Sequence, residues 1–197
     1  MKELNFLVAG VGGQGAILAS NILAAVGMMS GYDVKKSEVH GMSQRGGSVT
    51  SHVRWGEKVR SPLIEDGKVD YLIGLERLEP LRHIHLLRPG GVVVLDPHSI
   101  VPITVSSWGQ TYPSEEVERE IMEKVAGKVY WVPGVEIAKG LGNAKAANVV
   151  VLGALSGILD VPEGVWLQAV ERMVPRKVLE LNRRAFRRGR ELIEPAN

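Results

Sequence analysis

The stretch Leu4-Asn5-Phe6-Leu7-Val8-Ala9, followed at once by Gly10-Val11-Gly12-Gly13-Gln14-Gly15 and then Ala16-Ile17-Leu18-Ala19, decides the fold of this chain. The first six residues, apolar apart from Asn5, read as a buried strand, and residues 16–29 repeat their apolar side chains at helical spacing. Strand, glycine turn, helix is thus the opening unit. Glycines at such a turn permit positive φ and let another backbone or a phosphate come close, while the first N–H groups of the helix lack partners inside it. The helix end contributes about 0.3–1 kcal/mol toward a negative group, which biases the site without deciding what fills it. Gly10, Gly12 and Gly15 match the G-x-G-x-x-G spacing. Glu38, near the end of a second strand-like run at 32–39, stands where a dinucleotide fold places its ribose-binding acid. Two readings stay open here: a nucleotide loop, or glycines that only allow tight strand-to-helix packing.

Working outward, His40-Gly41-Met42-Ser43-Gln44-Arg45-Gly46-Gly47 packs an unusual density of donors into a connection between strands. Residues 48–55 alternate, with Val49, Ser51, Val53 and Trp55 on one face and Ser48, Thr50, His52 and Arg54 on the other, so one face should be largely polar. A strand that follows its predecessor so soon pairs antiparallel, and the sheet is therefore expected to be mixed. Further on, residues 69–75 read as a buried strand, 76–87 as a helix stopped by Arg88-Pro89-Gly90-Gly91, and 91–96 as the next strand. A short extended piece at 103–106 leads to a helix at 114–126 that Ser114 should cap, with Glu115, Glu116 and Glu118 suiting its dipole. Residues 128–132 form the last strand. From Pro133 the character changes: segments 135–141 and 144–159 are small and apolar, with Gly140, Gly142, Gly153 and Gly157, and should pack closely. Helices at 162–173 and 176–193 complete a helical C-terminal portion with no linker before it, so residues 1–197 read as one domain.

Composition narrows the function classes. Hydrophobic residues make up 45% of the 197, which describes an ordinary folded protein, and the 23 glycines fall mainly at turns. A net charge of +2 is too small to argue for nucleic acid or an anionic membrane as main partner. No apolar run approaches the ~20 residues of a membrane helix, and the start at Lys2 and Glu3 lacks a secretory pattern, so a cytoplasmic location is expected. Arg183, Arg184, Arg187, Arg188 and Arg190 form a basic cluster, read either as a solvated helix face or as a dock for an acidic partner. With no cysteine, the chain can form no disulfide and supplies none of the thiolates that normally hold an iron–sulfur cluster.

Little in the sequence looks catalytic. None of the five histidines has metal-ligand spacing, and Ser43 lacks a nucleophile elbow and a third triad member. His40 could donate to a carboxylate or phosphate, or bond to backbone. Arg45, given room by Gly46 and Gly47, suits planar recognition of a carboxylate or phosphate, with a salt bridge across a subunit interface as the rival role. Lys145 could reach a phosphate, and Asn148, on an otherwise apolar helix, must find partners or cost about 1–3 kcal/mol; satisfying backbone is its favoured role. Glu65-Asp66-Gly67 is the nearest fragment to a thiamine-diphosphate motif and lacks the downstream pattern.

The glycine loop together with residues 38–56, EVHGMSQRGGSVTSHVRWG, resembles the gamma-type subunit of the 2-oxoacid:ferredoxin oxidoreductases, and the likeness extends over most of the chain. Subunits acting on 2-oxoglutarate and branched-chain oxoacids tend to carry Tyr-Gly-Pro-Glu before Arg-Gly-Gly. Here His40-Gly41-Met42-Ser43-Gln44 stands in that place, which favours the indolepyruvate, or aryl-pyruvate, branch, with a gamma subunit for pyruvate, 2-oxoglutarate or 2-oxoisovalerate as the alternative. The resemblance implies a three-layer, Rossmann-like α/β mixed sheet with a helical C-terminal portion. It implies a larger alpha subunit that carries thiamine diphosphate, Mg and [4Fe-4S] clusters, decarboxylates an aryl pyruvate and passes electrons to ferredoxin while coenzyme A accepts the acyl group. It also implies that this chain holds no cofactor alone, is inactive alone, helps close the active site and contacts coenzyme A through Gly12, Gly13, Gln14, Gly15, Ser43, Gln44, Arg45, Gly46 and Gly47. Such a subunit, when isolated, should expose an apolar patch or self-associate. A free-standing dinucleotide oxidoreductase using Glu38, and a scaffold without ligand, are the competing classes.

Overall fold

The computed structural model describes residues 2–40, 47–100 and 113–193. Strands β1 (Leu4–Val11), β2 (Asp33–His40), β3 (Ser48–Gly56), β4 (Val69–Gly74), β5 (Leu87–Leu95) and β6 (Lys128–Trp131) form a six-stranded sheet in the order β2-β3-β1-β4-β5-β6. β1, β4, β5 and β6 run parallel; β3 is antiparallel to both β1 and β2. The mixed sheet follows from chain length: the seven residues 41–47 between β2 and β3 suffice for a hairpin, whereas a parallel crossover needs a dozen or more.

Among the described residues seven α-helices cover the sheet: α1 (Ala16–Met29), α2 (Leu78–Arg82), α3 (Glu115–Val125), α4 (Gly134–Gly140), α5 (Ala147–Ser156), α6 (Glu163–Met173) and α7 (Leu179–Glu191). The period-two alternation of β1 sorts its side chains between two cores. Phe6 and Val8 join Val53, Trp55, Ile73 and Val94 beneath α1, α5, α6 and α7. Leu7 and Ala9 join Leu72, Val93 and Leu95 against Met122 of α3. Each fully buried large side chain contributes about 1.5–3 kcal/mol, so two faces with full cover make a stable three-layer sandwich. Phe6 and Trp55 meet with ring centroids 4.7 Å apart and planes at 52°.

The C-terminal helices pack as closely as their small residues foretold. A Cβ at Gly153 would lie 2.0 Å from the carbonyl oxygen of Phe186, and one at Gly189 1.9 Å from that of Val150, so α5 and α7 cross backbone to backbone. The basic face of α7 is solvated and paired. Arg183 meets Glu171 at 3.0 Å, Arg187 meets Glu163 at 3.1 Å, and Arg190 donates to the Ser156 carbonyl at 3.0 Å. Ser114 caps α3 as expected, its Oγ accepting from Val117 N at 3.4 Å. Val117, Ile121 and Val125 form an exposed apolar stripe along that helix.

The polar face of β3 is buried at Thr50 and His52, and Ile64 N, in the connection that follows the strand, donates to His52 Nδ1 at 3.2 Å. The bounds expected near residue 87 need correction. The helix expected over 76–87 shrinks to α2 and a 3-10 turn at Ile84–Leu86. Leu87 already pairs with Val69, and Arg88 Nε reaches Asp70 Oδ1 at 2.6 Å, which draws the chain into β5 ahead of the Pro-Gly-Gly turn. The extended piece at 103–106 lies outside the described residues.

Candidate functional site

Chain direction fixes where a ligand can sit. From β1 the chain turns through α1 toward β2 on one side, and from β4 it turns through α2 toward β5 on the other. The carboxyl ends of β1 and β4 therefore flank the switch point, the crevice where open α/β sheets hold ligands. The glycine loop lies there. Gly13 and Gly15 take positive φ, +104° and +81°. A Cβ on Gly15 would stand 2.4 Å from Asn148 Nδ2, whereas one on Gly13 would meet nothing within 4 Å among the described residues.

The loop is braced by its own side chains. Gln14 Oε1 accepts from Val11 N at 2.8 Å, and its Nε2 donates to the Leu75 carbonyl at 2.7 Å, which ties the end of β1 to the end of β4. Gly12 N donates to the Gly47 carbonyl at 2.9 Å, joining the two glycine segments that the sequence set more than thirty residues apart. Asn148, at the start of α5, donates Nδ2 to the Gly15 carbonyl at 3.1 Å, while its buried Oδ1 has no hydrogen-bond partner among the described residues. Of the expected contact residues, Gly12, Gly13, Gln14, Gly15 and Gly47 come together here; the side chain of Gln14 is engaged in the loop itself. Ser43, Gln44, Arg45 and Gly46 lie outside the described residues. Glu38 sits on edge strand β2, ion-paired with Lys36, and β3 separates it from β1. That removes the parallel neighbour on which a dinucleotide fold mounts its ribose-binding acid.

Beside Gly13 opens a cleft of about 240 Å³ whose walls include Leu75, His98, Val135, Lys139, Lys145 and Asn148. Neither lysine has an ion-pair partner among the described residues. A second cavity of about 290 Å³ continues along α4, sharing Asp96, His98 and Lys139. Asp96 ends β5 and holds this wall in place: its Oδ1 accepts from His98 N at 2.9 Å and its Oδ2 from Val135 N at 2.7 Å. Burial pushes its pKa above the usual carboxylate range, partly offset by those two N–H groups. On the other side of the switch point Glu76 and Glu79 are buried after β4, and Arg77 reaches Glu118 of α3 at 2.5 Å. Burial raises the Glu118 pKa and the Arg77 guanidinium opposes that rise.

Sequence reading missed Glu76, Glu79, Asp96 and Lys139 as parts of this end of the sheet. One signal was available: Glu76 and Asp96 stand where buried parallel strands run out, the position α/β folds use for function. Lys145 and Asn148 were named, and Asn148 does satisfy backbone, with its second polar atom left over.

The model of the family described as pyruvate ferredoxin/flavodoxin oxidoreductase matches residues 5–192. The indolepyruvate oxidoreductase subunit IorB of Thermococcus kodakarensis is 39% identical over 192 residues, 96% of this chain and 95% of that protein. Its namesake from Archaeoglobus fulgidus is 41% identical over 190 residues, 95% and 94% of the two chains. Among solved structures, the gamma subunit of a keto/oxoacid ferredoxin oxidoreductase from Geobacter sulfurreducens superposes with a TM-score of 0.70 at 26% identity, covering 96% of this chain and 98% of that one. A 2-oxoglutarate:ferredoxin oxidoreductase from Magnetococcus marinus shares the fold, with a TM-score of 0.75 at 23% identity over 98% of this chain and 31% of a much longer one. The chain belongs to the pyruvate ferredoxin/flavodoxin oxidoreductase family, as a small gamma-type subunit of a 2-oxoacid:ferredoxin oxidoreductase.

Proposed function

We propose that this chain is the small subunit of an indolepyruvate:ferredoxin oxidoreductase of the cytoplasm, acting in aromatic amino acid catabolism, and that it forms the coenzyme A side of an active site completed by a larger subunit. Thiamine diphosphate with Mg and the [4Fe-4S] clusters, held by that partner, supply decarboxylation and electron transfer to ferredoxin. The residues of this chain do not fit those groups: it has no cysteine, and among the described residues no three His, Asp or Glu side chains converge as a metal would require. In this reading the chain is inactive without that partner.

The observation that carries the coenzyme A reading is the cleft beside Gly13, where glycine backbone meets the ammonium groups of Lys139 and Lys145, neither ion-paired among the described residues. Glycine admits a phosphate close to the backbone, and the two cations complement its charge. Leu75, Val135 and Val151 supply apolar wall on which a nucleotide ring can lie. The family resemblance extends the reading to Arg45, a planar donor of the second segment that lies outside the described residues. Co-purified with the larger subunit, the wild-type chain should support reduction of ferredoxin by indolepyruvate and coenzyme A. Lys145→Ala and Arg45→Ala should each raise the apparent KM for coenzyme A about fivefold and leave that for indolepyruvate unchanged. Turnover of an oxoacid by the purified single chain would overturn the reading.

A further inference from the structure

A second polar assembly sits beneath the glycine loop without lining the cleft. Ser48, the first residue of β3, stands opposite Val11 in the β1–β3 register, and its neighbour Gly47 takes the N–H of Gly12. The Ser48 hydroxyl donates to Oε2 of Glu79, which is 4% exposed in the first turn of α2. The backbone N–H of Glu79 in turn donates to Oε1 of Glu76, pinning it to the chain leaving β4. Facing the same carboxylate are Arg82, with Nε 3.6 Å from Oε1, and His83, with Nε2 3.9 Å from Oε2.

A withdrawn carboxylate is an expensive way to fill space, since an apolar pair of similar shape packs as well and a charge cut off from water needs its lone pairs used. What the apolar pair would lose is direction: a hydroxyl–carboxylate bond fixes where one strand starts relative to the next. Here it fixes the meeting point of the two glycine segments. We propose that Glu79 is a positioning residue of the coenzyme A site, holding through Ser48 the junction of Gly12 and Gly47 at the depth the ligand requires. This rests on the reading that the loop end of the sheet takes coenzyme A.

The test uses the co-purified two-subunit enzyme and reads KM for coenzyme A, KM for indolepyruvate, kcat and melting temperature. Ser48→Ala and Glu79→Ala should each raise KM for coenzyme A about five- to tenfold while kcat and the oxoacid KM stay within about twofold. The double variant should be no worse than either single one, because both remove the same bond. Glu79→Gln, whose amide oxygen still accepts from Ser48, should stay within about twofold of wild type. A merely structural role would lower melting temperature and kcat together and show no such split. If Ser48→Ala leaves the coenzyme A KM unchanged while Lys145→Ala raises it, the positioning role is wrong and the coenzyme A reading stands. If neither moves it, that reading fails and takes this proposal with it. Should Glu79→Ala not fold, Ser48→Ala decides alone, since it deletes one hydroxyl.

Discussion

At the amino ends of β1 and β4, Glu3, Asn5, Arg54, Asp70 and Arg88 surround a cavity of about 600 Å³; at the carboxyl ends of the same strands the cleft beside Gly13 measures about 240 Å³. In the larger one the side chains at the strand ends bond to one another. Arg54 donates Nε to Asn5 Oδ1 at 2.9 Å, gives Nη1 to the carbonyls of Ser61 and Leu63, and pairs with Glu3. Asp70 takes Asn5 N at 2.9 Å and Arg88 Nε at 2.6 Å. In the smaller one Lys139 and Lys145 have no ion-pair partner among the described residues. Volume reports room; unanswered donors report what a site can still grip.

Substitutions at the two ends should part company in the same way. The largest effect is expected for Gly15→Val, which forces a β-branched side chain into positive φ and against Asn148. A loss of about 3 kcal/mol or more in urea unfolding should accompany loss of coenzyme A binding. At the lower end, Asp70→Ala leaves the Asn5 N–H and the Arg88 guanidinium without their partner. About 2 kcal/mol of stability should go, moderated because Arg88 is part exposed, with the coenzyme A KM of the complex untouched. Lys145→Ala should invert that result, with stability within about 0.5 kcal/mol of wild type and the coenzyme A KM shifted. A Lys145→Ala protein that unfolds early, or an Asp70→Ala enzyme that loses coenzyme A, would erase the distinction between the two ends.

The smallest effect concerns pH. Burial holds the pKa of His52 and of His83 below the ordinary value of 6.5. The unfolded chain therefore binds more protons than the folded one just below that value, and stability falls as pH drops through 6.5 toward the folded pKa values. Protonation of His52 also costs the acceptor that Ile64 N uses. The melting temperature should decline between pH 7 and 5.5, and His52→Gln should flatten the decline by a degree or two, on the order of the shift expected for a few tenths of a kcal/mol.

What could be read from residues alone was whatever follows from periodicity and punctuation. The span of α1 and the Ser114 cap follow from local pattern, and the antiparallel β3 from a connection too short for a crossover. The burial of His52 could not be seen, because it depends on where Ile64 and the connection around it fold. The truncation of α2 likewise depends on Leu87 and Arg88 finding partners in β4. At the site, the glycine loop was legible as a motif, but its union with Gly47 exists only once β3 lies beside β1. Lys139 carried no signal: a helix-end lysine looks the same whether it faces bulk water or a cleft.

The crossing at Gly153 and Gly189 reaches further than its own stability. With no side chain between the helices, α5 cannot slide or roll on α7 without the backbones colliding, and α5 is the element that presents Asn148 to the carbonyl of Gly15. The geometry at the beginning of the polypeptide is thus inherited from its far end, by a helix that donates no atom to the cleft. Shaving the tail back to before Leu179 would leave the phosphate-sized hollow intact on paper and unmoored in fact.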